Sequence, residues 1–259
     1  MLEETFVELR GAKLNLRRGG KGAPVLFLHG AQGYAGSDPA MDALAQDFTV
    51  LAPDHPGFGH SDAFDWIDDV PDLAFLYLDL LAMLGLEDVH VVGHGLGGWT
   101  ALEMAIRSTA RIKSLILAAA AGIRVPGVPR ADMFICTPEE LARLIFAGDG
   151  WQAWNASLTA TPELQEIADR NRFQAAKLCW QPRLFNPKLE KWLHRIDRPT
   201  RILWGEDDRI IPPAYGARLK ELIAGAGLVM LPRTGHLMPV EQPQRFAAEI
   251  RRFIREDAA

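Results

Sequence analysis

The chain has 259 residues, 48% of them hydrophobic, which is enough for one large α/β domain or for a core with an inserted subdomain. The formal net charge is −5, the 28 basic residues form no run of five, and no apolar stretch reaches ~18 residues. Residues 1–10 have neither a basic nor an apolar region, so we expect no signal peptide. We therefore expect a cytoplasmic protein that binds neither nucleic acid nor membrane, and its two cysteines predict free thiols.

The strand pattern begins with residues 5–20, where polar and apolar residues alternate and predict an antiparallel hairpin. Further along the chain the strands read as near-continuous aliphatic runs, which is typical of strands buried on both faces of a mostly parallel sheet. These runs lie at 23–30, 48–57, 89–95, 113–122, 200–208 and 227–236.

Helical periodicity fills the gaps between these runs. Apolar residues at helical spacing predict amphipathic helices, and Gly85 stands where a helix would end. The predicted helices span 71–84, 98–108, 212–224 and 243–256. Alternation of strands and helices predicts an α/β fold.

The strand rhythm stops in the segment 123–195, which is helical in pattern from 137–148 onward. We therefore predict a core in two parts, 1–122 and 196–259, with a helical cap at 123–195 between them. Four of the seven tryptophans lie in this segment, namely Trp151, Trp154, Trp180 and Trp192. They are expected to form the core of the cap, and alternatively one or two of them line an apolar pocket above the sheet.

Five short motifs occur in a fixed order along this pattern. They are "LHGAQG" (28–33), "DHPGFGHSD" (54–62), "GHGLGG" (93–98), "WGEDDRIIP" (204–212) and "GHLMPVEQP" (235–243). In these motifs the sequence resembles the α/β-hydrolase superfamily over essentially its whole length, and most closely its lid-bearing esterases and carbon–carbon-bond hydrolases. The resemblance implies a cofactor-free enzyme, without a metal, that acts on small esters or related carbonyl compounds by acyl transfer. A homo-oligomer is compatible with it.

The resemblance also assigns the catalytic positions in chain order. The nucleophile position is Gly95, the acid is Asp208 with Asp207 as the fallback, and the base is His236. A hydroxyl needs a neighbouring base that titrates near neutral pH, and a carboxylate fixes the tautomer of that base.

Two backbone N–H groups are expected to bind the oxyanion of the reaction. They belong to Leu96, at the start of the helix after the turn, and to Ala31, with Gln32 as the alternative. Substrate contacts are predicted for His94, Gln32 and Trp99, although a histidine inside this turn often has a packing role instead.

Glycine at position 95 removes the attacking side chain, while it tolerates the positive φ of such a turn. Four explanations stay open. A serine of the natural enzyme has been replaced; or His236 and Asp208 activate a water molecule; or the scaffold runs a lyase or proton-transfer reaction; or it binds ligands without chemistry. The retained base and acid argue against pure binding.

Three glycines of the turn also match a second motif. Gly93, Gly95 and Gly98 fit the dinucleotide-binding fingerprint, but no acid follows at the end of the next strand.

The polar side chains outside the predicted catalytic positions have weaker interpretations. His29 and Asp54 are expected to brace loops. The remaining histidines are expected in loops or on the surface, and three side chains are subordinate candidates for a displaced nucleophile. The histidines are His55, His60, His90 and His194, and the three side chains are Ser37, Ser61 and Cys136.

Overall fold

A computed structural model describes residues 2–34 and 39–257, so that Ser37 lies outside the described residues. The central element in this part of the chain is an eight-stranded sheet of order β1-β2-β4-β3-β5-β6-β7-β8. Its strands are β1 Glu3–Leu9, β2 Ala12–Gly19, β3 Pro24–Leu28, β4 Thr49–Pro53, β5 Val89–His94, β6 Ile112–Ala118, β7 Thr200–Gly205 and β8 Gly227–Leu231.

Strand directions follow from the residue patterns. β1 and β2 form the predicted antiparallel hairpin, and β2 continues antiparallel to β4. The six strands from β3 to β8 are parallel to one another. In β5 all six residues are buried, because helices cover both faces of the sheet.

Helices occupy the predicted stretches with shifts of up to two residues at each end for α2, α3, α7 and α9. The helices are α1 Pro39–Leu44, α2 Val70–Met83, α3 Leu96–Arg107, α4 Pro138–Ile145, α5 Trp151–Leu158, α6 Pro162–Cys179, α7 Ala214–Leu222, α8 Met238–Glu241 and α9 Pro243–Asp257. The short helices α1 and α8 have no counterpart among the predicted helices, because four to six residues carry too little periodicity. No helix in the described part of the chain is both long and apolar enough to cross a membrane.

Parallel strands place the loops of interest at one edge of the sheet. The loops that follow β3, β5, β7 and β8 all leave from the carboxyl ends of their strands. This is the edge at which open α/β sheets bind ligands. The motifs identified in the sequence are therefore neighbours in space.

The segment between β6 and β7 contains α4, α5, α6 and a 3₁₀ helix at Glu190–Arg195. Asn171 in α6 fastens it to the core, since its side-chain amide donates to Gln32 O at 2.9 Å and its Oδ1 accepts from Gly59 N at 2.9 Å. We propose that residues 123–195 act as a cap over the carboxyl edge of the sheet.

The tryptophans of this segment are divided between two environments. Trp151 and Trp154 are half-buried and pack against the core. Trp180 and Trp192 are 52% and 43% exposed, so the expectation that they belong to a cap core is wrong. The guanidinium of Arg183 stacks 4.1 Å from the Trp180 ring centroid, and such stacking suits an aromatic ring at a polar surface.

Candidate active site

The turn between β5 and α3 places Gly95 at the centre of the site. Gly95 has φ +52° and ψ −109°, a conformation that strains residues with a side chain. The turn can be this tight because α3 packs directly on β3: a β-carbon on Gly97 would lie 2.1 Å from Leu28 O. Gly95 N donates to Ala118 O at 2.9 Å, which fixes the turn against the neighbouring strand.

His236 lies on the loop after β8 and is 5% exposed. Its backbone N donates to Ile145 O at 2.7 Å, at the end of α4. Glu241, which sequence reasoning missed, accepts from Gly235 N at 2.6 Å and from Ala147 N at 2.7 Å. These contacts hold the histidine loop between the sheet and the cap segment.

Asp208 is the acid that the structure places against His236. His236 Nδ1 donates to Asp208 Oδ2 at 2.8 Å, while Asp208 Oδ1 accepts from Ile210 N and Ile211 N, both at 2.9 Å. Asp207 is exposed, whereas Asp208 is buried. Because Nδ1 carries the proton, His236 Nε2 has a lone pair and can act as a base.

The free nitrogen of this histidine faces the turn. His236 Nε2 lies 3.3 Å from the point that a β-carbon on Gly95 would occupy, and the next neighbour of that point is Gly30 Cα at 3.6 Å. The three predicted catalytic positions are therefore brought together, and the base is within hydrogen-bonding reach of a small group above Gly95.

The two predicted oxyanion donors border the same space. Leu96 N–H is the first amide of α3, where the helix dipole favours negative charge. Neither Leu96 N–H nor Ala31 N–H donates a hydrogen bond to any residue in the described ranges 2–34 and 39–257. Unpaired amides at a helix start and in an adjacent loop are suited to an oxyanion.

His94 braces the base through a buried hydrogen bond. It is 2% exposed, and its Nε2 donates to the backbone carbonyl of His236 at 2.9 Å. Burial lowers the pKa of His94 to about 3, so the ring is neutral at physiological pH. The substrate contact of His94 stays a prediction, and the bracing contact is the role that its geometry gives it.

A buried histidine network holds the oxyanion loop. His29 Nδ1 donates to Gly30 O at 2.7 Å, and His29 Nε2 accepts from His55 N at 2.9 Å. His55 in turn accepts from Tyr77 Oη at 2.5 Å. Burial lowers the pKa of His29 to about 3 and that of His55 well below its usual range, so both rings are neutral. His29 braces a loop, as expected.

One expectation for the other histidines is wrong. His55 lies in the loop after β4, as expected, although the network above buries it fully. His90 is 1% exposed within β5, where its Nδ1 lies 2.7 Å from Ser114 Oγ. Local patterns carry no sign of the partners, because they are 22 or more residues away in the chain. His60 and His194 are on the surface, as expected.

The other candidates for catalysis serve the structure. Asp54 accepts from Asn15 Nδ2 at 2.9 Å and from His60 N at 3.0 Å, which braces its turn. Ser61 Oγ donates to Asp54 O at 2.8 Å. Neither Ser61 nor Cys136 lines the cavity beside His236 in the described part of the chain.

Trp99 lines the site from α3 and is held by an acid that sequence reasoning missed. Its Nε1 donates to Glu103 Oε1 at 3.0 Å, and Asn186 Nδ2 donates to the same oxygen at 2.8 Å. Glu103 is fully buried and its second oxygen pairs with Arg107 at 2.5 Å. The contact could have been predicted from the sequence, because Trp99 and Glu103 are four residues apart on one face of a helix.

Three cavities border the oxyanion loop, and one of them, of about 470 Å³, is lined among others by Gly30, Gln32 and His94. The other two are smaller. The first, of about 20 Å³, is lined among others by Ala31, Gln32, Gly95, Leu96 and His236. The second, of about 110 Å³, shares Ala31 and Gln32 and extends below the cap helices, where it is largely apolar; its other walls include Met133, Pro138, Leu141, Trp154 and Leu158. Trp99 belongs to the first cavity and Trp154 to the second.

Comparison with known proteins agrees with this architecture. Residues 25–249 match the model of the alpha/beta hydrolase family. The chain belongs to the α/β-hydrolase family. The predicted fold is thereby confirmed, and so is the hydrolase scaffold.

Two relatives that this α/β hydrolase matches over most of their length are named hydrolases. The chain is 28% identical to 2-hydroxymuconate semialdehyde hydrolase of Pseudomonas sp. (strain CF600), over 96% of this chain and 93% of the relative. It is also 28% identical to 2-hydroxy-6-oxo-2,4-heptadienoate hydrolase of Pseudomonas putida, over 94% and 93%. The solved structure of 2-hydroxy-6-oxo-6-phenylhexa-2,4-dienoate hydrolase from Rhodococcus sp. strain RHA1 superposes with a TM-score of 0.80 at 22% identity, covering 98% of this chain and 99% of that one.

Proposed function

We propose that this α/β hydrolase cleaves small esters and related carbonyl compounds, with His236 and Asp208 activating a water molecule above Gly95. The observation that carries the proposal is the position of His236 Nε2, 3.3 Å from the β-carbon point of Gly95, beside a cavity of about 20 Å³. A cavity of roughly 10–15 Å³ or more holds one water molecule when polar groups surround it. The side chain absent at position 95 thus leaves room for the attacking group.

The reaction follows from the placement of these groups. The substrate carbonyl oxygen accepts hydrogen bonds from Leu96 N–H and Ala31 N–H, and water attacks the carbonyl carbon as His236 Nε2 takes one of its protons. Asp208 stabilises the resulting imidazolium. When the tetrahedral intermediate collapses, the leaving oxygen receives that proton from His236. The products are a carboxylic acid and an alcohol.

Without a nucleophilic side chain the chain forms no acyl-enzyme. Loss of the attacking serine from such a site lowers turnover by roughly six orders of magnitude, and about 10³–10⁴ over water remains from the oxyanion donors and binding. We therefore expect slow turnover by this chain, and the Gly95→Ser variant is expected to act by acyl transfer.

Two cavities that share Gln32 offer room for the acyl group. Their volumes are about 110 Å³ and about 470 Å³. We expect acetyl and butyryl esters to fit.

A second candidate is hydrolysis of a carbon–carbon bond next to a ketone. One relative's name specifies a dienoate, which is a carboxylate. Arg130 lines the cavity beside His236, and within the described residues its guanidinium donates to backbone carbonyls such as Leu184 O at 2.8 Å. An anionic substrate would be attracted by this charge.

The decisive assay compares hydrolysis of p-nitrophenyl acetate and butyrate by the unchanged protein, by His236→Ala and by His60→Ala. His60 is exposed and serves as the matched histidine. We expect turnover above background that disappears in His236→Ala and persists in His60→Ala. Equal rates for all three proteins would exclude His236 as the base.

A further inference from the structure

Gln32 carries a buried hydrogen-bond acceptor that the protein leaves unused. In the described part of the chain the buried side-chain atoms without a partner are Asn15 Oδ1, Gln32 Oε1, Arg198 Nε and Arg201 Nε. Of these residues only Gln32 lines the cavity next to His236. A buried polar atom without a partner disfavours the folded state by about 1–3 kcal/mol, so such an atom beside a site points to a bound partner.

The position of this oxygen relative to Gly95 follows from two distances. Gln32 Oε1 is 3.4 Å from the point of a β-carbon on Gly30, whose Cα in turn is 3.6 Å from the β-carbon point of Gly95. The backbone carbonyl of Gln32 accepts from Asn171 Nδ2 at 2.9 Å, which anchors the residue under the cap. Gln32 and His236 are therefore two walls of one space that is large enough for a single water molecule.

A water molecule that attacks a carbonyl has two O–H groups, and each of them needs a hydrogen-bond acceptor. One donates to the base, and the other needs a second acceptor if the oxygen lone pair is to face the carbonyl carbon. We propose that Gln32 Oε1 is this second acceptor and that Gln32 is a catalytic residue that orients the attacking water. The inference rests on the proposed function. Its chemistry is balanced, because His236 takes one proton and the other hydrogen stays in the product acid.

Methanol distinguishes an orienting role from a structural one. Methanol has one O–H group, so it can donate to His236 but not to Gln32 as well. In the unchanged site water should therefore be favoured over methanol. Removal of the acceptor should weaken this preference, whereas a change that only loosened the loop would slow both nucleophiles alike.

The experiment measures the ratio of methyl butyrate to butyric acid formed from p-nitrophenyl butyrate in water with a fixed methanol concentration. Gln32→Leu removes the acceptor, Gln32→Glu keeps it, and Gln174→Leu removes a half-buried amide that packs on Gly57 and not on the cavity. We expect Gln32→Leu to lower kcat about tenfold, or about 1.4 kcal/mol, with little change in KM and a higher ester-to-acid ratio. Gln32→Glu and Gln174→Leu should keep the original ratio.

The same set is measured in the unchanged Gly95 background and in the Gly95→Ser background, because water also attacks the acyl-enzyme of the Gly95→Ser protein. A protein with Gly95 that shows no turnover dependent on His236 overturns the proposed function, while the ratio in the Gly95→Ser series still decides the role of Gln32. A ratio unchanged in Gln32→Leu overturns the inference. Absence of turnover in the Gly95→Ser series overturns both.

Discussion

The Nε2 atom of His236 lies 3.3 Å from the point that a β-carbon on Gly95 would occupy. This separation is shorter than most contacts that a β-carbon makes, so the β-carbon of any side chain at position 95 would be in direct contact with the imidazole of His236. The base, its acid and two amide donors are arranged around a position that has no side chain. The protein thus has the surroundings of a nucleophile without the nucleophile.

The pairing of His236 with Asp208 predicts that substitutions of the adjacent acids Asp208 and Asp207 affect kcat differently. Asp208→Asn keeps an oxygen for Ile210 N and Ile211 N, but its amide would face His236 Nδ1 and force the wrong tautomer. In the Gly95→Ser protein we expect kcat to fall by about 10⁴, the effect of this change in a catalytic triad. Asp207→Asn, at an exposed position, should leave kcat unchanged. Comparable losses for both variants would contradict the assignment.

The buried acid under the site predicts a stability effect. Glu103→Leu leaves Trp99 Nε1, Asn186 Nδ2 and Arg107 without their acceptor. We expect the free energy of unfolding in urea to fall by about 3 kcal/mol, since removal of one partner of a buried ion pair is strongly destabilising. Glu87→Leu breaks an exposed pair with Arg111 and should change it by no more than about 1 kcal/mol. Equal losses would show that Glu103 has no special role.

Buried neutral histidines predict that acid destabilises the fold. His94 has a pKa of about 3 when folded and about 6.5 when unfolded, so between these values the unfolded state binds more protons. Stability is therefore complete above pH 6.5 and falls with pH toward 3, by up to about 1.4 kcal/mol per pH unit for each such histidine. Urea unfolding at pH 7, 6 and 5 measures this slope.

The control for the pH effect replaces the titrating group. His94→Gln keeps a donor for the carbonyl of His236 but cannot be protonated, so its stability should fall less steeply with acid. His60→Gln, at an exposed position, should show the slope of the unchanged protein. A slope that is identical in His94→Gln would show that another group causes the acid sensitivity.

The amide of Asn171 predicts how the cap is held. Asn171→Ala removes hydrogen bonds from α6 to Gln32 O and Gly59 N. We expect faster hydrogen exchange in residues 137–179 with little change in the sheet, because regions with fewer core contacts open independently. Gln152→Ala, at an exposed position on α5, should not alter the exchange. Equal exchange in Asn171→Ala and the unchanged protein would show that the hydrogen bonds of Asn171 do not hold α6 against the core.

Local patterns were sufficient for the architecture of the sheet, whereas Asp208 and His236 were assigned by the resemblance to the α/β-hydrolase superfamily. Aliphatic runs mark buried strands, and the loops that follow parallel strands meet at one edge, so residues far apart in sequence were expected together. In the sequence only the family resemblance favours Asp208 over the adjacent Asp207 as the catalytic acid. In the structure the hydrogen bonds from Ile210 N and Ile211 N to Asp208 distinguish the two acids.

Contacts over long separations were beyond the reach of local patterns. The partner of His55 is Tyr77 on α2, and that of Gln32 is Asn171 in the cap, 139 residues later. The unpaired oxygen of Gln32 is a property of the packed site and has no counterpart in a single sequence. Trp180 departs from expectation because a large aromatic side chain is expected to be buried, whereas a stacked guanidinium lets it lie at the surface.

The most direct test of the account is turnover of p-nitrophenyl butyrate by Gly95→Ser and Gly95→Ala beside the unchanged protein. Both variants add the same β-carbon at the same positive φ, but only serine adds an attacking oxygen. We expect Gly95→Ser to gain several orders of magnitude in kcat and to show an acyl-enzyme burst. Gly95→Ala should fall below the unchanged protein, because its β-carbon, 3.3 Å from His236 Nε2, narrows the space for the water molecule. A Gly95→Ser protein no faster than Gly95→Ala would contradict the account.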